Sequence, residues 1–167
     1  QSKFWCAASI HDGEEEIILN AHLKLKEKIK NLITFIIPRH IINTQKIYQK
    51  SVSKGLNSQI LNQDDVVLKN KEIIIVNSFG LLSEFFNYCN NVFIGKSIMS
   101  RFEKDGGQNP IEAAKNGCKI FYGPNVSNFT EIYKYLDELQ ISKKIDNDND
   151  LVKYLTINLK SSEPKNL

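Results

Sequence analysis

The segment Phe4-Trp5-Cys6-Ala7-Ala8-Ser9-Ile10-His11-Asp12-Gly13-Glu14-Glu15-Glu16 passes from an apolar run through a small polar loop to an acidic stretch. The apolar run, Phe4–Ala8, is short and predicts a buried strand. From Glu14 to Lys28 the spacing is helical, since Ile17, Ile18, Ala21 and Leu25 fall on one face. The carboxylates of Glu14, Glu15 and Glu16 lie at the N-terminus of this helix, where the helix dipole stabilises negative charge. The segment therefore predicts a strand–loop–helix unit.

The same alternation continues along the chain. Further strands are predicted at Leu32–Ile37, Glu72–Val76, Val92–Ile94 and Lys119–Phe121, with a weaker one at Asp65–Leu68. Further helices are predicted at Thr44–Ser53 (capped by Asn43 or Thr44), Gly80–Asn87, Pro110–Lys115 and Asn128–Leu139. Fully apolar strands that alternate with helices indicate a parallel sheet covered on both faces. We therefore predict an α/β, Rossmann-like domain with helices on both faces of the sheet.

Polar loops follow the predicted strands. They contain Ser9–Gly13, Pro38–His40, Asn77–Ser78 and Gly95–Ser97. In open parallel sheets ligands bind where the carboxyl ends of the strands meet. We therefore expect these loops to converge on one crevice.

A further loop, Gly106-Gly107-Gln108-Asn109-Pro110-Ile111-Glu112-Ala113-Ala114, leads into a predicted helix. The glycines permit a close backbone approach, and proline suits the first helical position. Amides at a helix start favour an anion such as phosphate. Glu112 is placed to accept hydrogen bonds from the paired hydroxyls of a ribose. This pattern predicts a nucleotide site, although a glycine pair before a helix is also common in ordinary loops.

Several blocks occur in a fixed order and closely resemble the C-terminal domain of the 3-deoxy-D-manno-octulosonic acid (Kdo) transferases, which are GT-B glycosyltransferases. The family patterns are W-x-A-A-S-T-H-x-G-E-E-E, P-R-H, F-x-G-[GK]-S, G-G-[HQ]-N-P-x-E-x-A and G-P-x-x-x-N-F, matched here by Trp5–Glu16, Pro38–His40, Phe93–Ser97, Gly106–Ala114 and Gly123–Phe129. The resemblance extends to about residues 146–150.

The resemblance implies that the chain binds the nucleotide sugar CMP-Kdo. The implied donor-binding residues are Ser9, His11, Gly13, Glu14, Glu15, Arg39, His40, Ser78, Gly80, Gly95, Lys96, Ser97, Gly106, Gly107, Gln108, Asn109, Glu112 and Asn128. Within this set we expect Glu14 or Glu15 to point inward, and Arg39 to bind the phosphate or the Kdo carboxylate through its planar guanidinium. Lys96 either contacts the phosphate or extends into solvent. Asn109 and Asn128 are expected to cap helices as well as to shape the crevice, while Trp5 is expected in the core.

Two places depart from the family pattern. The loop Asn77-Ser78-Phe79-Gly80-Leu81 corresponds to D-T-x-G-E, so it keeps a hydroxyl but loses two carboxylates. The segment Met99–Asp105 is a few residues longer than usual and carries Arg101 and Lys104.

The resemblance also implies how the whole enzyme works. It would transfer Kdo from CMP-Kdo to a lipid A precursor with inversion, release CMP, and use no cofactor and no nucleotide-bound metal. The acceptor site, membrane anchor and catalytic base lie in an N-terminal domain of that family. Because the chain starts at Gln1 and enters a strand almost at once, we expect a partial chain with no catalytic residue of its own. It would be a soluble domain of an enzyme at the cytoplasmic face of the bacterial inner membrane.

The length, net charge and cysteine content of the chain give further expectations about its domains, partners and compartment. A length of 167 residues fits one domain, predicted here as a donor-binding region at 1–145, then an acidic, Asn-rich linker, a short amphipathic segment and a frayed tail at 146–167. A net charge of +3 gives no indication of nucleic-acid binding. Cys6, Cys89 and Cys118 have no metal-like spacing and suit a reducing compartment.

Two other functions remain open. One is another GT-B nucleotide-sugar enzyme, either a UDP-sugar transferase or an epimerase, against which the Ser9–Glu16 and Pro38–His40 blocks argue. The other is a non-catalytic nucleotide-binding or interaction domain, which the altered Asn77–Leu81 loop favours.

Overall fold

The computed structural model describes residues 1–161, which form a seven-stranded sheet with every strand pair parallel. The strands are β1 (Lys3–Ile10), β2 (Leu32–Pro38), β3 (Ser58–Leu61), β4 (Ile73–Val76), β5 (Asn91–Ile94), β6 (Lys119–Tyr122) and β7 (Ser142–Lys144). Their order across the sheet is β3-β4-β2-β1-β5-β6-β7. The predicted Rossmann-like α/β fold is confirmed.

Helices cover both faces of this sheet. They are α1 (Glu15–Leu25), α2 (Thr44–Ser53), α3 (Leu82–Tyr88), α4 (Ile111–Lys115), α5 (Thr130–Glu138) and α6 (Asp148–Ser161). Side chains of α1, α2 and α6 pack in one hydrophobic cluster, and side chains of α3, α4 and α5 pack in another. The central strand β1 contributes Trp5 and Ala7 to the first cluster and Cys6 and Ala8 to the second. Because successive side chains of a strand point to opposite faces, β1 is buried on both sides.

The strand order reverses between β1 and β5. After β1 the chain adds β2 beside it, passes to the edge strand β3, returns to place β4 between β3 and β2, and then crosses to place β5 on the other side of β1. The connections after β1 and β5 therefore lead to helices on opposite faces of the sheet, α1 and α4. Such a reversal point, at the carboxyl edge of the sheet, is where α/β proteins bind ligands.

The apolar runs locate five strands correctly, but one prediction is wrong. Asp65–Leu68 lies in the connection between β3 and β4, and the strand in this region is β3, at Ser58–Leu61. The two strands that the sequence did not reveal, β3 and β7, form the edges of the sheet. Edge strands are short and partly polar, so they carry little of the apolar signal by which a strand is predicted.

The predicted amphipathic segment near the C-terminus is helix α6. Four of its side chains are buried in the cluster that contains α1: Leu151, Val152, Leu155 and Leu159. Residues 148–161 thus belong to the same folded unit as the sheet, whereas the boundary of donor binding after residue 145 stays a prediction. The predicted frayed tail falls at residues 162–167, outside the described residues, apart from Ser161, which ends α6. Within residues 1–161, the helices are all too short or too polar to cross a membrane.

A polar network is enclosed where α1 meets β2 and β4. His22 is fully buried, with Nδ1 2.7 Å from the Thr34 hydroxyl and Nε2 2.9 Å from Glu72 Oε1. Glu72 also pairs with Lys26 at 2.7 Å and accepts the Asn57 N–H at 3.0 Å. Burial lowers the pKa of His22, and the neighbouring Glu72 carboxylate only partly opposes this shift. The imidazole is therefore neutral in the fold, with Nε2–H donating to Glu72.

We expect the stability of the domain to fall as the pH is lowered below about 6.5, because His22 takes up a proton more readily in the unfolded chain than in the fold. The protonation of one such group changes the free energy of unfolding by at most about 1.4 kcal/mol per pH unit. Urea unfolding of wild type and His22→Gln between pH 7.5 and 5 measures this contribution, and the variant should show the shallower pH dependence. An identical pH dependence in both proteins would contradict the assignment.

Candidate functional site

A cavity of about 290 Å³ lies at the carboxyl edge of the sheet. It brings together four residues that the sequence predicted for the site, Ser9, Gly80, Asn109 and Glu112. The full lining is Ala8, Ser9, Gly80, Leu82, Ser83, Phe86, Ile94, Asn109 and Glu112. The wall is therefore apolar along the strand ends and polar at its mouth, as is common in sites for small organic ligands.

Glu112 occupies the first turn of α4 and is exposed to the crevice. The Ser83 hydroxyl of α3 donates to Glu112 Oε1 at 3.4 Å, a long hydrogen bond. Asn109 sits at the same mouth and caps α4, since its Oδ1 accepts the Ile111 N–H at 2.9 Å. Ser83 was not predicted as a site residue. Its only indication in the sequence is its position in the first turn of the predicted helix Gly80–Asn87, and the structure shows that it faces Glu112.

The Glu14 carboxylate joins the loops that follow β1 and β5. Its Oε1 accepts the backbone N–H groups of His11 at 3.0 Å and Lys96 at 2.7 Å, and its Oε2 accepts those of Ser97 at 3.2 Å and Ile98 at 3.3 Å. The residue is fully buried. Burial raises the pKa of Glu14, although all four N–H groups oppose that shift. Glu14 thus holds together the two loops that line the crevice.

Glu15 is also buried and stabilises the start of α1. Its Oε2 accepts the Gly13 N–H at 2.7 Å, and its Oε1 pairs with Lys50 of α2 at 2.7 Å. The prediction that Glu14 or Glu15 points inward is confirmed, and the structure shows that both do.

Gly95 makes the close approach of these loops possible. A Cβ at this position would lie 2.9 Å from Glu14 Oε1 and would overlap the carbonyl group of Ser9. Ser97, two residues later, is fully buried, donates its hydroxyl to the Ile94 carbonyl at 2.7 Å and accepts the Gly123 N–H at 2.9 Å. Ser97 therefore joins strand ends, and its hydroxyl is already engaged on both sides.

The amides of the Gly106–Asn109 loop were expected to favour a ligand anion, and one of them, the Gly107 N–H, is already engaged within the chain. The N–H groups of Lys96 and Ser97 bind Glu14, and the Gly107 N–H donates to the Lys96 carbonyl at 2.6 Å. The Gly13 N–H is taken by Glu15. These four amides are bound within the chain, so an anion at this site would need contacts from other amides or from side chains.

Four basic side chains surround the β1 end of the crevice. The rings of His11 and His40 lie edge to face at 5.7 Å, and His11 Nδ1 is 3.0 Å from the Ser9 carbonyl oxygen. Arg39 and His40 are exposed, and Lys96 is half-buried. Burial lowers the pKa of His11, and the nearby His40, Lys96 and Arg39 lower it further, against the opposing Ser9 carbonyl. The cluster forms a cationic rim, in which Arg39 and Lys96 carry the positive charge and His11, with its lowered pKa, favours the neutral form. Such a rim suits a ligand with negative charge.

The longer segment Met99–Asp105 packs over this rim. Phe102 is buried and lies edge to face with His11 at 5.4 Å between ring centroids. Arg101 lies over the Phe102 ring at 4.7 Å and donates a hydrogen bond to the Asp12 carbonyl. The extra length therefore packs against His11 as well as adding charge, a contact that no sequence pattern indicated.

The loop Gly106–Asn109 is held by α5 and the turn before it. The Asn128 side chain donates to the Asp105 carbonyl at 2.7 Å, and the Asn128 N–H donates to the Gly106 carbonyl at 3.0 Å. The Tyr133 hydroxyl donates to the Gln108 carbonyl at 2.8 Å. The predicted cap role of Asn128 is wrong, because α5 begins at Thr130 and Asn128 anchors the preceding loop.

The altered loop after β4 has its own role. The Asn77 side chain accepts the Thr44 hydroxyl at 3.2 Å and donates to Asn62 Oδ1 at 2.8 Å, which ties three loops together. An aspartate could not donate the second bond. Asn43, one of the two predicted cap residues, occupies the N-cap position of α2, but its side chain makes no cap hydrogen bond. The Thr44 hydroxyl bonds to Asn77 instead. Ser78 Oγ is buried and has no hydrogen-bond partner among the described residues.

One further expectation concerns Trp5, which does not line the cavity. Trp5 is fully buried in the core, as predicted. Among residues 1–161, no group of three or more His, Cys, Asp or Glu side chains has an arrangement that could hold a metal ion.

Comparison with known proteins places this geometry in a family context, although no protein-family profile matches the chain. The chain is 33% identical to a 3-deoxy-D-manno-octulosonic acid transferase of Rickettsia conorii and 34% identical to that of Rickettsia felis, over 93% and 89% of its own length. It spans about a third of the length of these relatives, 32% and 31% respectively.

A solved structure gives the corresponding fold. The C-terminal CMP-Kdo binding domain of WaaA from Acinetobacter baumannii superimposes with a TM-score of 0.81, over 92% of this chain and 78% of that domain, at 18% identity. By sequence the chain is therefore a homologue of the 3-deoxy-D-manno-octulosonic acid transferases over about one third of their length, and by fold it matches the C-terminal domain of WaaA.

Proposed function

We propose that this chain is the donor-binding domain of a Kdo transferase and binds CMP-Kdo. The observation that carries the proposal is the cavity that unites Ser9, Gly80, Asn109 and Glu112 at the reversal point of the sheet. Homology to transferases of this substrate class supports the same assignment.

In this proposal the nucleoside lies in the cavity and its phosphate lies towards the cationic rim. Glu112 accepts hydrogen bonds from the ribose hydroxyls, with Ser83 orienting its carboxylate. Arg39 and Lys96 bind the CMP phosphate and the Kdo carboxylate, because guanidinium and ammonium groups are suited to both anions. Ser78, whose hydroxyl has no partner among the described residues, offers a further donor to the ligand.

The reaction breaks the bond between the anomeric carbon of Kdo and a phosphate oxygen of CMP. The bonding electron pair leaves with CMP, so positive charge develops on the sugar and negative charge grows on the phosphate. Arg39 and Lys96 would stabilise that negative charge where it develops. The acceptor hydroxyl, proposed to belong to a lipid A precursor, loses its proton to a base. We propose that this base lies outside this chain, which alone would bind donor without transferring it.

The setting of the reaction is part of the same proposal. A lipid acceptor places the whole enzyme at the cytoplasmic face of the bacterial inner membrane. The membrane anchor and the acceptor site would belong to another part of the protein, and the donor would be CMP-Kdo without a cofactor or a nucleotide-bound metal.

We expect the chain to bind CMP in preference to UMP and UDP in a calorimetric titration. Glu112→Gln should weaken CMP binding about tenfold or more, since it removes the charge that orders the ribose hydroxyls. Arg39→Ala should weaken binding by a similar factor through the phosphate. Glu84→Gln is the matched control, because Glu84 is exposed on α3 and does not line the cavity.

The outcomes separate the candidates. CMP binding that survives in Glu112→Gln and Arg39→Ala would remove the nucleotide from this cavity. A preference for UDP would favour another GT-B enzyme. No binding of CMP or of CMP-Kdo would contradict the proposal.

A further inference from the structure

The connection between β3 and β4 exposes apolar side chains between opposite charges. Its central residues read Asp65-Val66-Val67-Leu68-Lys69. Val66 is 74% exposed, Val67 41% and Leu68 54%. Adjacent exposed aliphatic side chains of this kind make the segment a candidate for an interaction surface.

This segment is held in an ordered conformation by one side chain of the neighbouring edge strand. The Gln59 carboxamide of β3 donates to the Val66 carbonyl at 2.9 Å and accepts the Leu68 N–H at 2.9 Å. In an extended chain, the main-chain groups of alternate residues face the same side. The groups of Val66 and Leu68 that bind Gln59 face β3, so the N–H and C=O of Val67 face away from it.

Both ends of the segment are set by turns. Asp64 has φ 68° and Asn70 has φ 63°, and both lie in turns, at residues 63–64 and 69–70. The segment between these two residues is Asp65–Lys69, with Val67 at its centre and Lys69 as the first residue of the second turn. The Asp65 N–H donates to the Asn62 carbonyl at 3.1 Å, and Asp65 Oδ2 accepts the Asn62 N–H at 2.8 Å. These bonds use one oxygen of the Asp65 carboxylate and leave the other free for a partner.

We propose that this segment pairs in antiparallel orientation with the same segment of a second copy of the chain, with the twofold axis at Val67. In that register Asp65 of each copy faces Lys69 of the other, and Val66 faces Leu68. The two Val67 residues exchange their main-chain hydrogen bonds across the axis. A twofold interface requires a self-complementary surface, and the order acidic–apolar–basic about a central residue provides one.

The same charge order distinguishes this partner from a membrane. An anionic lipid surface would attract Lys69 and Lys71 but repel Asp64 and Asp65, which lie equally close to the apolar centre. In a pair of copies, by contrast, Asp65 of each chain would face Lys69 of the other, so charges of both signs would be paired.

The dimer should be weak. Five paired residues bury far less than the roughly 1,600 Å² of a standard stable interface. The pairing is therefore expected at high protein concentration, with the chain largely monomeric when dilute.

Sedimentation velocity on the whole chain, from about 10 µM to about 1 mM, tests the proposal. Wild type should shift from the 19.1 kDa monomer towards twice that mass as the concentration rises. Val67→Pro, which removes the N–H at the axis, should raise the dissociation constant about tenfold or more. Ile157→Asp is the control, since Ile157 is 60% exposed on α6, outside the segment, and should associate like wild type.

Charge exchange gives the sharper test. Asp65→Lys alone and Lys69→Asp alone each place like charges opposite one another, so each variant should be monomeric. Mixed in equal amounts they should associate, because both cross-chain pairs become complementary. Thermal unfolding of each variant confirms that it is folded.

Three results would overturn the proposal. They are a wild type that stays monomeric at the highest concentration, self-association that Val67→Pro leaves unchanged, and a mixture of the two charge variants that does not associate. Binding to vesicles containing phosphatidylglycerol by a protein that never dimerises, abolished in Val66→Asp, would assign the segment to a lipid surface instead.

Discussion

Glu14→Ala should lower the free energy of unfolding by about 3–5 kcal/mol, the largest effect that we expect of any single substitution in this chain. The carboxylate accepts four backbone N–H groups from the two loops that line the crevice. Alanine would leave these amides in a buried site without their carboxylate partner. Each buried N–H without a partner costs about 1–3 kcal/mol, although such costs are not additive.

Urea unfolding followed by circular dichroism measures this loss. Glu14→Gln should fall between Ala and wild type, because its remaining oxygen can accept only the pair of N–H groups on one side. Glu16→Ala is the control on the same helix, since its side chain is 44% exposed. It pairs with Lys50 at 3.4 Å and with Lys54 at 3.3 Å, and each of these interactions is worth at most about 1 kcal/mol. If Glu14→Ala and Glu16→Ala lost similar stability, the structural role of Glu14 would be refuted.

Gly106→Ala should cost about 3 kcal/mol, at the upper end of the range for overpacking. An added methyl group would overlap the carbonyl of Asn125 and lie 2.5 Å from the carbonyl oxygen of Phe102. Both neighbours are main-chain atoms, so no side chain can rotate away to relieve the contact. Since Gly106 begins the loop that carries Asn109, CMP binding should weaken along with stability.

Gly117→Ala separates this steric effect from backbone strain. Gly117 has φ 76°, but nothing lies within 4 Å of a Cβ at that position. Its replacement should cost about 1–2 kcal/mol, from the left-handed conformation alone, and should leave CMP binding intact. Thermal unfolding and calorimetry on both variants make the comparison. Equal losses in stability would show that the contacts around Gly106 are not rigid.

Local patterns predicted most of the fold because its central strands are uniformly apolar. Ile73–Val76 and Val92–Ile94 are buried on both faces, and burial of that kind leaves a clear trace in the sequence. The same signal misled at Asp65–Leu68, where the apolar side chains face outward. An apolar run indicates side chains that are favoured in a buried environment. It does not show whether they are buried by the same chain or by another molecule.

The location of the site was predictable, whereas several of its interactions were not. The carboxyl ends of parallel strands must meet at one edge, so the loops that contain Ser9, Gly80 and Asn109 could be brought together from topology alone. The occupation of the amides of Lys96, Ser97 and Gly107 depends on side-chain direction and on contacts between residues distant in sequence. A linear pattern carries no information about either.

The contact between Gly95 and Glu14 also restricts how this crevice can change during evolution. A side chain at position 95 would displace both the Glu14 carboxylate and the Ser9 carbonyl, while a shorter residue at position 14 would free the amides that Gly95 allows to approach. A substitution at either position alone is therefore expected to destabilise the fold. We therefore expect this glycine and this glutamate to be inherited as a pair, independently of what the crevice binds.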